Sequence, residues 1–192
     1  MRDLRTVDER LTGLTDHGEV ADLELDGCVL EACDFEGLTW RRVVLRECRF
    51  IGCNLSRVRF VDTRLVDCLI EGGKALGVGW SGARLSEVAT VPLHLVDVRV
   101  DFGSFTGMPL RGARLIRCSA READFTDADL READLTGTML AGARFAGADL
   151  RDAVLVDVDE HDIDPRETQV RGARFSPAGA ARLLDPFGVV VS

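Results

Sequence analysis

The side chains best suited to chemistry in this chain are carboxylates, and they are concentrated near its end. Between Arg121 and Asp164 lie Glu122, Asp124, Asp127, Asp129, Glu132, Asp134, Asp149, Asp152, Asp157, Asp159, Glu160, Asp162 and Asp164. Against these 13 acids stand four bases, Arg121, Arg131, Arg144 and Arg151. The formal net charge is −9, and this segment holds all of it, because the remaining acids and bases cancel at 20 each. Dense carboxylates can bind a divalent cation, divide acid and base roles between them, or form a surface that attracts a cationic partner. The tightest run, Asp157, Asp159, Glu160, Asp162 and Asp164, lacks the ligand spacing of a calcium loop. Nothing around it suggests a pocket for acid–base catalysis, which leaves the electrostatic surface.

Other catalytic or ligating patterns are missing. His17, His94 and His161 are scattered, and no phosphate-binding loop or dinucleotide fingerprint occurs. The six cysteines, Cys28, Cys33, Cys48, Cys53, Cys68 and Cys118, show no CxxC or Cys-x-His spacing for zinc. The opening MRDLRTVDERLTGLTD has no apolar h-region, and no stretch approaches the ~18 apolar residues of a membrane span. A cytoplasmic chain is expected, with free thiols rather than disulfides. The expectation is a protein that is not an enzyme and has no cofactor and no metal site.

The elements that must carry these acids are set by a repeat. From Leu25 to Leu155 the 27 positions divisible by five hold large apolar residues, except at Ala75, Thr90 and Ala120. Two residues before each lies a column of small or apolar residues, and all six cysteines fall in it beside Val and Ala. That placement identifies them as core thiols. A period of five fits neither a helix at 3.6 nor a strand at 2, so the chain is a repeat array. Gly73, Ala75 and Gly103 thin its interior, and Pro92 and Pro109 interrupt hydrogen bonding. The phase nevertheless holds across 70–110, which predicts no inserted loop there.

Residues 1–20 lie out of pattern, with Leu4, Leu11, Leu14 and Val20 as apolar anchors, and are the expected N-terminal cap. The repeat fills 21–159. Residues 160–192 should form a C-terminal cap: Ser176 as N-cap and Pro177 at the first helical position start a short helix. Ala180, Ala181, Leu183 and Leu184 continue it, Pro186 ends it, and Gly188 turns into a short strand at Val189, Val190 and Val191.

The unit seen in ADFTD-ADLRE-ADLTG (123–137) resembles that of the pentapeptide repeat proteins, over about 140 of the 192 residues. The resemblance implies an all-β, right-handed quadrilateral β-helix of about seven turns with a short C-terminal helix, in which residues 20 apart stack. Trp40, Phe60 and Trp80 then form one interior ladder, and Phe105, Phe125 and Phe145 another on a different face. Within the family, FIGCNLSRVRF (50–60), KALGVGW (74–80) and IDPRETQVRGARFSPAGAARLLDPFGVVV resemble segments of the quinolone-resistance proteins Qnr and MfpA and of topoisomerase-toxin immunity proteins. This likeness implies DNA gyrase or another type II topoisomerase as partner. It also implies a homodimer through Ala180, Ala181, Leu183, Leu184, Phe187 and Val189, although Pro186 falls within the equivalent of the dimer helix.

Charge read against that geometry suggests what the rod imitates. Residues 121–159 have a net charge of −6 over roughly 9 Å of rod, about one per 1.6 Å, close to the ~1.7 Å of B-DNA. The outward acids Asp124, Asp127, Asp129, Glu132, Asp134, Asp149, Asp152 and Asp157 are the expected partner surface of a DNA mimic. It would touch neither nucleic acid nor membrane. The competing expectation is a scaffold for some other protein, its Asp side chains bonding nearby backbone and its acidic surface serving solubility.

Overall fold

A five-residue unit can stack because it closes its own corner and bonds both neighbours. In Asp149–Leu150–Arg151–Asp152–Ala153, the Asp149 N–H reaches back to the Ala128 carbonyl (3.0 Å) and the Leu150 N–H forward to Gln169 (2.8 Å). Ala153 N–H then bonds Leu150 O at 3.1 Å, closing the turn. Asp152, on that corner, has φ +60°. The same left-handed corner recurs two residues after the centre of most units, filled by Gly, Asp, Glu or Arg except at Ala32 and Phe102. Glycine enters this region freely and Asp tolerates it better than most residues.

The computed structural model describes residues 4–86, 91–158 and 160–191. They form a right-handed quadrilateral β-helix. One face shows its pitch through nine parallel rungs, at Arg10, Val29, Arg49, Leu69, His94, Arg114, Asp134, Val154 and Arg174. Nine rungs span eight turns, about 38 Å at strand spacing. Segment 21–159 accounts for about seven of them. A further coil comes from the N-terminal segment, whose strands Leu4–Val7 and Arg10–Thr12 pair with residues 19 positions on rather than 20.

The lumen is filled by centre residues and by the column two before them. Leu45, Phe50, Leu55, Trp80, Phe105, Leu110, Phe125 and Leu130 are among those essentially sealed from solvent. In the second column Cys48, Cys53 and Cys68 point their Sγ at the carbonyls of Leu25, Leu30 and Leu45, 3.3–3.5 Å away. Thr63, Thr138 and Thr168 donate Oγ1–H to the matching carbonyls of Trp40, Leu115 and Phe145 at 2.6–2.9 Å. Cysteine and threonine thus play one role, a small inward side chain with a donor for the coil beneath. All six cysteines are free thiols, and burial pushes those of Cys53 and Cys118 up to about 11, which keeps them unreactive.

The expectation of an unbroken stack fails once. From the second coil to residue 85 partners lie 20 apart, as in Leu65↔Leu85. Beyond it Ile70 pairs with Leu95, Lys74 with Arg99 and Gly79 with Ser104, all 25 apart. One extra unit of five residues therefore lies between Leu85 and Leu95, and because its length equals the repeat the phase survives. Thr90, an exception in the centre column, lies outside the described residues. The two expected aromatic ladders are in consequence one. Trp40, Phe60, Trp80, Phe105, Phe125 and Phe145 run down a single face, ring centroids 4.8–5.8 Å apart. Gly103 packs close beside this ladder, where an added Cβ would lie 2.9 Å from the Val100 carbonyl oxygen and 3.3 Å from the Phe105 ring.

The end of the chain departs from expectation in one element. Helix α1 spans Pro177–Arg182, with Ser176 Oγ accepting the Gly179 N–H. A 3-10 turn at Asp185–Phe187 follows with Pro186 in its first turn, and Gly188 takes φ +69°. Val189, Val190 and Val191 form no strand. They have no neighbouring rung to pair with, and all three are exposed.

Candidate functional site

The eight acids expected to form a surface are all on the exterior, but the square cross-section separates them. Asp124 and Asp127 lie outside the aromatic ladder. Asp129, Glu132, Asp149 and Asp152 lie on the next face, where Pro109, Asp129, Asp149 and Gln169 are rungs. Asp134 and Asp157 lie on the third, with Arg114, Asp134 and Val154 as rungs. The acids encircle the last coils rather than lining one side.

Each also has a local role. Asp124, Asp129, Asp134 and Asp149 precede a centre residue, and each Oδ1 accepts the backbone N–H two residues on, from Thr126, Arg131, Thr136 and Arg151 at 3.0–3.2 Å. Three of them are ion-paired besides: Asp124 with Arg144, Asp129 with Arg131 and Asp149 with Arg151, each at 2.6 Å. Hydrogen bonds from Thr126, Arg131 and Arg151 respectively lead the causes that hold these carboxyls below their ordinary value. Glu132 meets Arg111 at 2.5 Å. On that face Arg111, Arg131, Arg151 and Arg171 recur every 20 residues and offset its four acids.

Asp127, Asp152 and Asp157 differ. They occupy left-handed corners at φ +57° to +60°, are exposed, and have no ion-pair partner among the described residues. The Asp127 and Asp152 carboxylates lie over Gly147 and Gly172, where an added Cβ would come within 2.1–2.2 Å of Oδ1. Glycine in the next coil therefore makes room for each.

On the aromatic face and its two edges, Glu122 and Asp127 are joined by Asp162, Asp164 and Glu167. The last three line an open groove with Arg144. Asp162 Oδ2 accepts Gly142 N–H at 3.2 Å, and Asp164 is bound by Arg166 at 2.6 Å. No group of three or more His, Cys, Asp or Glu suited to a metal ion is found among the described residues. Asp159 lies outside them. Nor is any described helix long and apolar enough to cross a membrane.

One functional element was not legible in the sequence. His161, buried among the last coil residues, ties helix α1 to the rod. Its Nε2–H donates to Gly179 O (2.9 Å), its Nδ1 accepts the Ile163 N–H (3.3 Å), and its ring packs 5.3 Å from Phe175. Arg182 Nε–H binds the His161 carbonyl at 3.0 Å. Burial, foremost, lowers the imidazole pKa; Arg182 adds to this, while the Gly179 bond, Asp162 and Asp185 oppose it. The ring is thus neutral when folded, and a proton on Nδ1 would confront the Ile163 N–H. Below the ordinary imidazole value near 6.5 the unfolded chain binds a proton that the folded chain refuses, so stability falls as pH drops. The melting midpoint should therefore decline more between about pH 7 and 5 in the wild type than in His161→Gln. Equal declines in a thermal scan would exclude the clasp.

Beyond the clasp, Ala181 and Leu183 are half-buried, whereas Ala180, Leu184, Phe187 and Val189 are exposed. Arg166 lies over the Phe187 ring, 5.8 Å from its centre.

Comparison with known proteins agrees with this architecture. The family described as Pentapeptide repeat region matches residues 23–99, and that described as Pentapeptide repeats (8 copies) matches 109–145 and 128–159. No curated protein matches the sequence. Among solved structures, a trypsin-treated variant of QnrB1, a plasmid-mediated fluoroquinolone resistance protein, superposes with a TM-score of 0.82 at 19% identity, covering 100% of both chains. A second trypsin-treated QnrB1 variant gives 0.67 at 17% identity over 98% of each. HetL of the cyanobacterium Nostoc sp. strain PCC 7120, a pentapeptide repeat protein involved in heterocyst differentiation regulation, gives 0.50 at 17%, over 90% of this chain and 87% of its own. At such identities the structural likeness establishes the fold alone. The period-five lumen, the left-handed corners and the two family matches together make this chain a member of the pentapeptide repeat family.

Proposed function

We propose that the chain is a non-enzymatic, DNA-mimicking rod that binds a type II topoisomerase such as DNA gyrase, inhibiting it or protecting it from quinolones or toxins. The observation that carries this reading is the charge of the last coils: a net −6 over residues 121–159, spaced along the axis at about the density of B-DNA. Ion pairing with Arg131, Arg144 and Arg151 redistributes that charge locally and leaves the net field intact, so a basic DNA-binding groove would still attract the rod. The fold match to a fluoroquinolone resistance protein over the full length of both chains supports the same reading. The contact residues proposed are Asp124, Asp127, Asp129, Glu132, Asp134, Asp149, Asp152 and Asp157, with Asp127, Asp152 and Asp157 foremost because they are exposed and have no ion-pair partner among the described residues.

The proposed organisation is a cap at 1–20, the rod at 21–159 and a dimerisation segment at 160–192. Self-association would use Ala180, Ala181, Leu183, Leu184, Phe187 and Val189, bringing two acidic ends together in the cytoplasm. Exposed Phe187 and Val189, 55% and 47% accessible, support an apolar contact there. Light scattering of the 21.0 kDa chain should give twice that mass, and a single-chain mass would rule the dimer out.

A second reading, a scaffold for another protein, is favoured by the local role that the repeat gives every acid. Gyrase supercoiling with added protein, with and without a quinolone, separates the two. Inhibition or protection is expected at micromolar protein. The triple variant Asp127→Arg, Glu132→Arg, Asp152→Arg should abolish it without unfolding the rod, because Arg42, Arg57 and Arg117 already occupy such corners. A wild type without effect on either reaction would leave the scaffold reading in place of the mimic.

A further inference from the structure

The two ends of the rod are finished differently. At the C-terminal end His161, Ile163 and Leu183 pack against the last coil. The N-terminal end holds a well of about 300 Å³, and its origin lies in the sequence. Each coil fills the lumen with four centre side chains. In the second coil these are Leu25, Leu30, Phe35 and Trp40; the first coil opposes them with Thr6, Leu11, Asp16 and Val20. A threonine stands above Leu25 and an aspartate above Phe35, so half of the first layer supplies too little apolar volume.

The well passes Leu25, Leu30 and Phe35 to a floor of Trp40 and Phe50, whose rings stack 5.8 Å apart. Its rim includes Leu14, Thr15, Asp16, Val20 and Leu23. It lies at the lower end of ordinary ligand pockets, about 300–1,000 Å³, and exceeds the ~150 Å³ apolar cavity that stays dry and takes up benzene. From rim to floor is about two coil spacings, roughly 10 Å.

Charge selects the class of occupant. No cationic side chain lines the well among the described residues. Asp16 is exposed at the rim, where Oδ1 accepts the Gly18 N–H at 3.0 Å. Among the described residues, three arginines of the first coils are engaged elsewhere: Arg10 binds Glu31, Arg41 binds Glu19 and Arg42 binds Asp22. An apolar shaft with an aromatic floor and a single carboxylate at its mouth fits a linear amphiphile with a cationic head.

We propose that the N-terminal end of the rod is a binding site for an alkylammonium ligand, its tail on Trp40 and Phe50 and its head at Asp16. The site is independent of the acidic coils at the other end. Titration calorimetry of the full chain with octylammonium, octanoate and octanol, below their aggregation thresholds, tests it. Octylammonium should bind saturably, one per chain, about tenfold or more tighter than octanoate through the carboxylate. Asp16→Asn should reduce that preference to about threefold or less, and Thr6→Phe, which fills the shaft from the first coil, should abolish binding. Trp40 emission should shift on binding, read against the same titration of Trp40→Phe, which keeps only the sealed Trp80. Absence of saturable heat, equal affinity for octanoate, or binding that survives Thr6→Phe in a chain of unchanged circular dichroism would each overturn the proposal.

Discussion

Phe125→Ala is expected to destabilise the rod by about 3–5 kcal/mol, the range for emptying a sealed aromatic site. Phe125 is fully buried and stacks between Phe105 and Phe145, with centroids 4.8 and 5.1 Å away and planes within 10° of parallel. Removing it deletes two ring contacts at once, and the neighbouring rings cannot close the gap because their backbones are tied to adjacent rungs. For a domain of this size the melting midpoint should fall by roughly 6–20 °C, at about 2–4 °C per kcal/mol. A solenoid transmits such damage mainly between nearest coils, so hydrogen exchange should rise most in the coils around residues 105 and 145. Thermal and denaturant unfolding followed by circular dichroism measure the loss, and a change below about 1 kcal/mol would show that the ladder is not what holds these coils together.

Gly73→Ala should be about as damaging, through the backbone instead of the core. Gly73 has φ +75°, and an added Cβ would fall 2.2 Å from the Cys53 carbonyl oxygen and 2.8 Å from its nitrogen. Both are backbone atoms held in the ladder, so relief requires neighbouring coils to separate. Left-handed strain of about 1–2 kcal/mol and overpacking of about 1–3 kcal/mol add to an expected loss near 2–5 kcal/mol. Gly77→Ala is the matched control: its φ is +61° with nothing within 4 Å of an added Cβ, so only the strain should remain. Equal melting points for the two variants would remove close approach as the reason for glycine at 73.

Much of this was legible in sequence because the signal was periodic. The apolar residues at multiples of five are the lumen, the column two before them is inward as well, and Ser176 caps the helix that follows. Information that is not periodic in five was hidden. The change of partner spacing from 20 to 25 escaped because the five added residues equal the unit. The fate of the acids was half legible: Asp124 with Arg144 follows from stacking at 20, and Asp129 with Arg131 from a spacing of two. The corner acids Asp127, Asp152 and Asp157 needed the backbone, since only a left-handed φ explains why Gly, Asp, Glu and Arg share one column. His161 lies beyond the repeat, and no spacing marks a histidine that binds a glycine carbonyl 18 residues away.

The five extra residues between Leu85 and Leu95 also separate numbering from direction. Past them, every side chain sits a quarter turn from where a count of twenties from the first coils would put it, yet the coils on either side stack directly, as Ile70 on Leu95 and Trp80 on Phe105 show. A chain shortened by those five residues would therefore aim Asp127 the same way relative to its N-terminal half, and a partner gripping both halves would accept either.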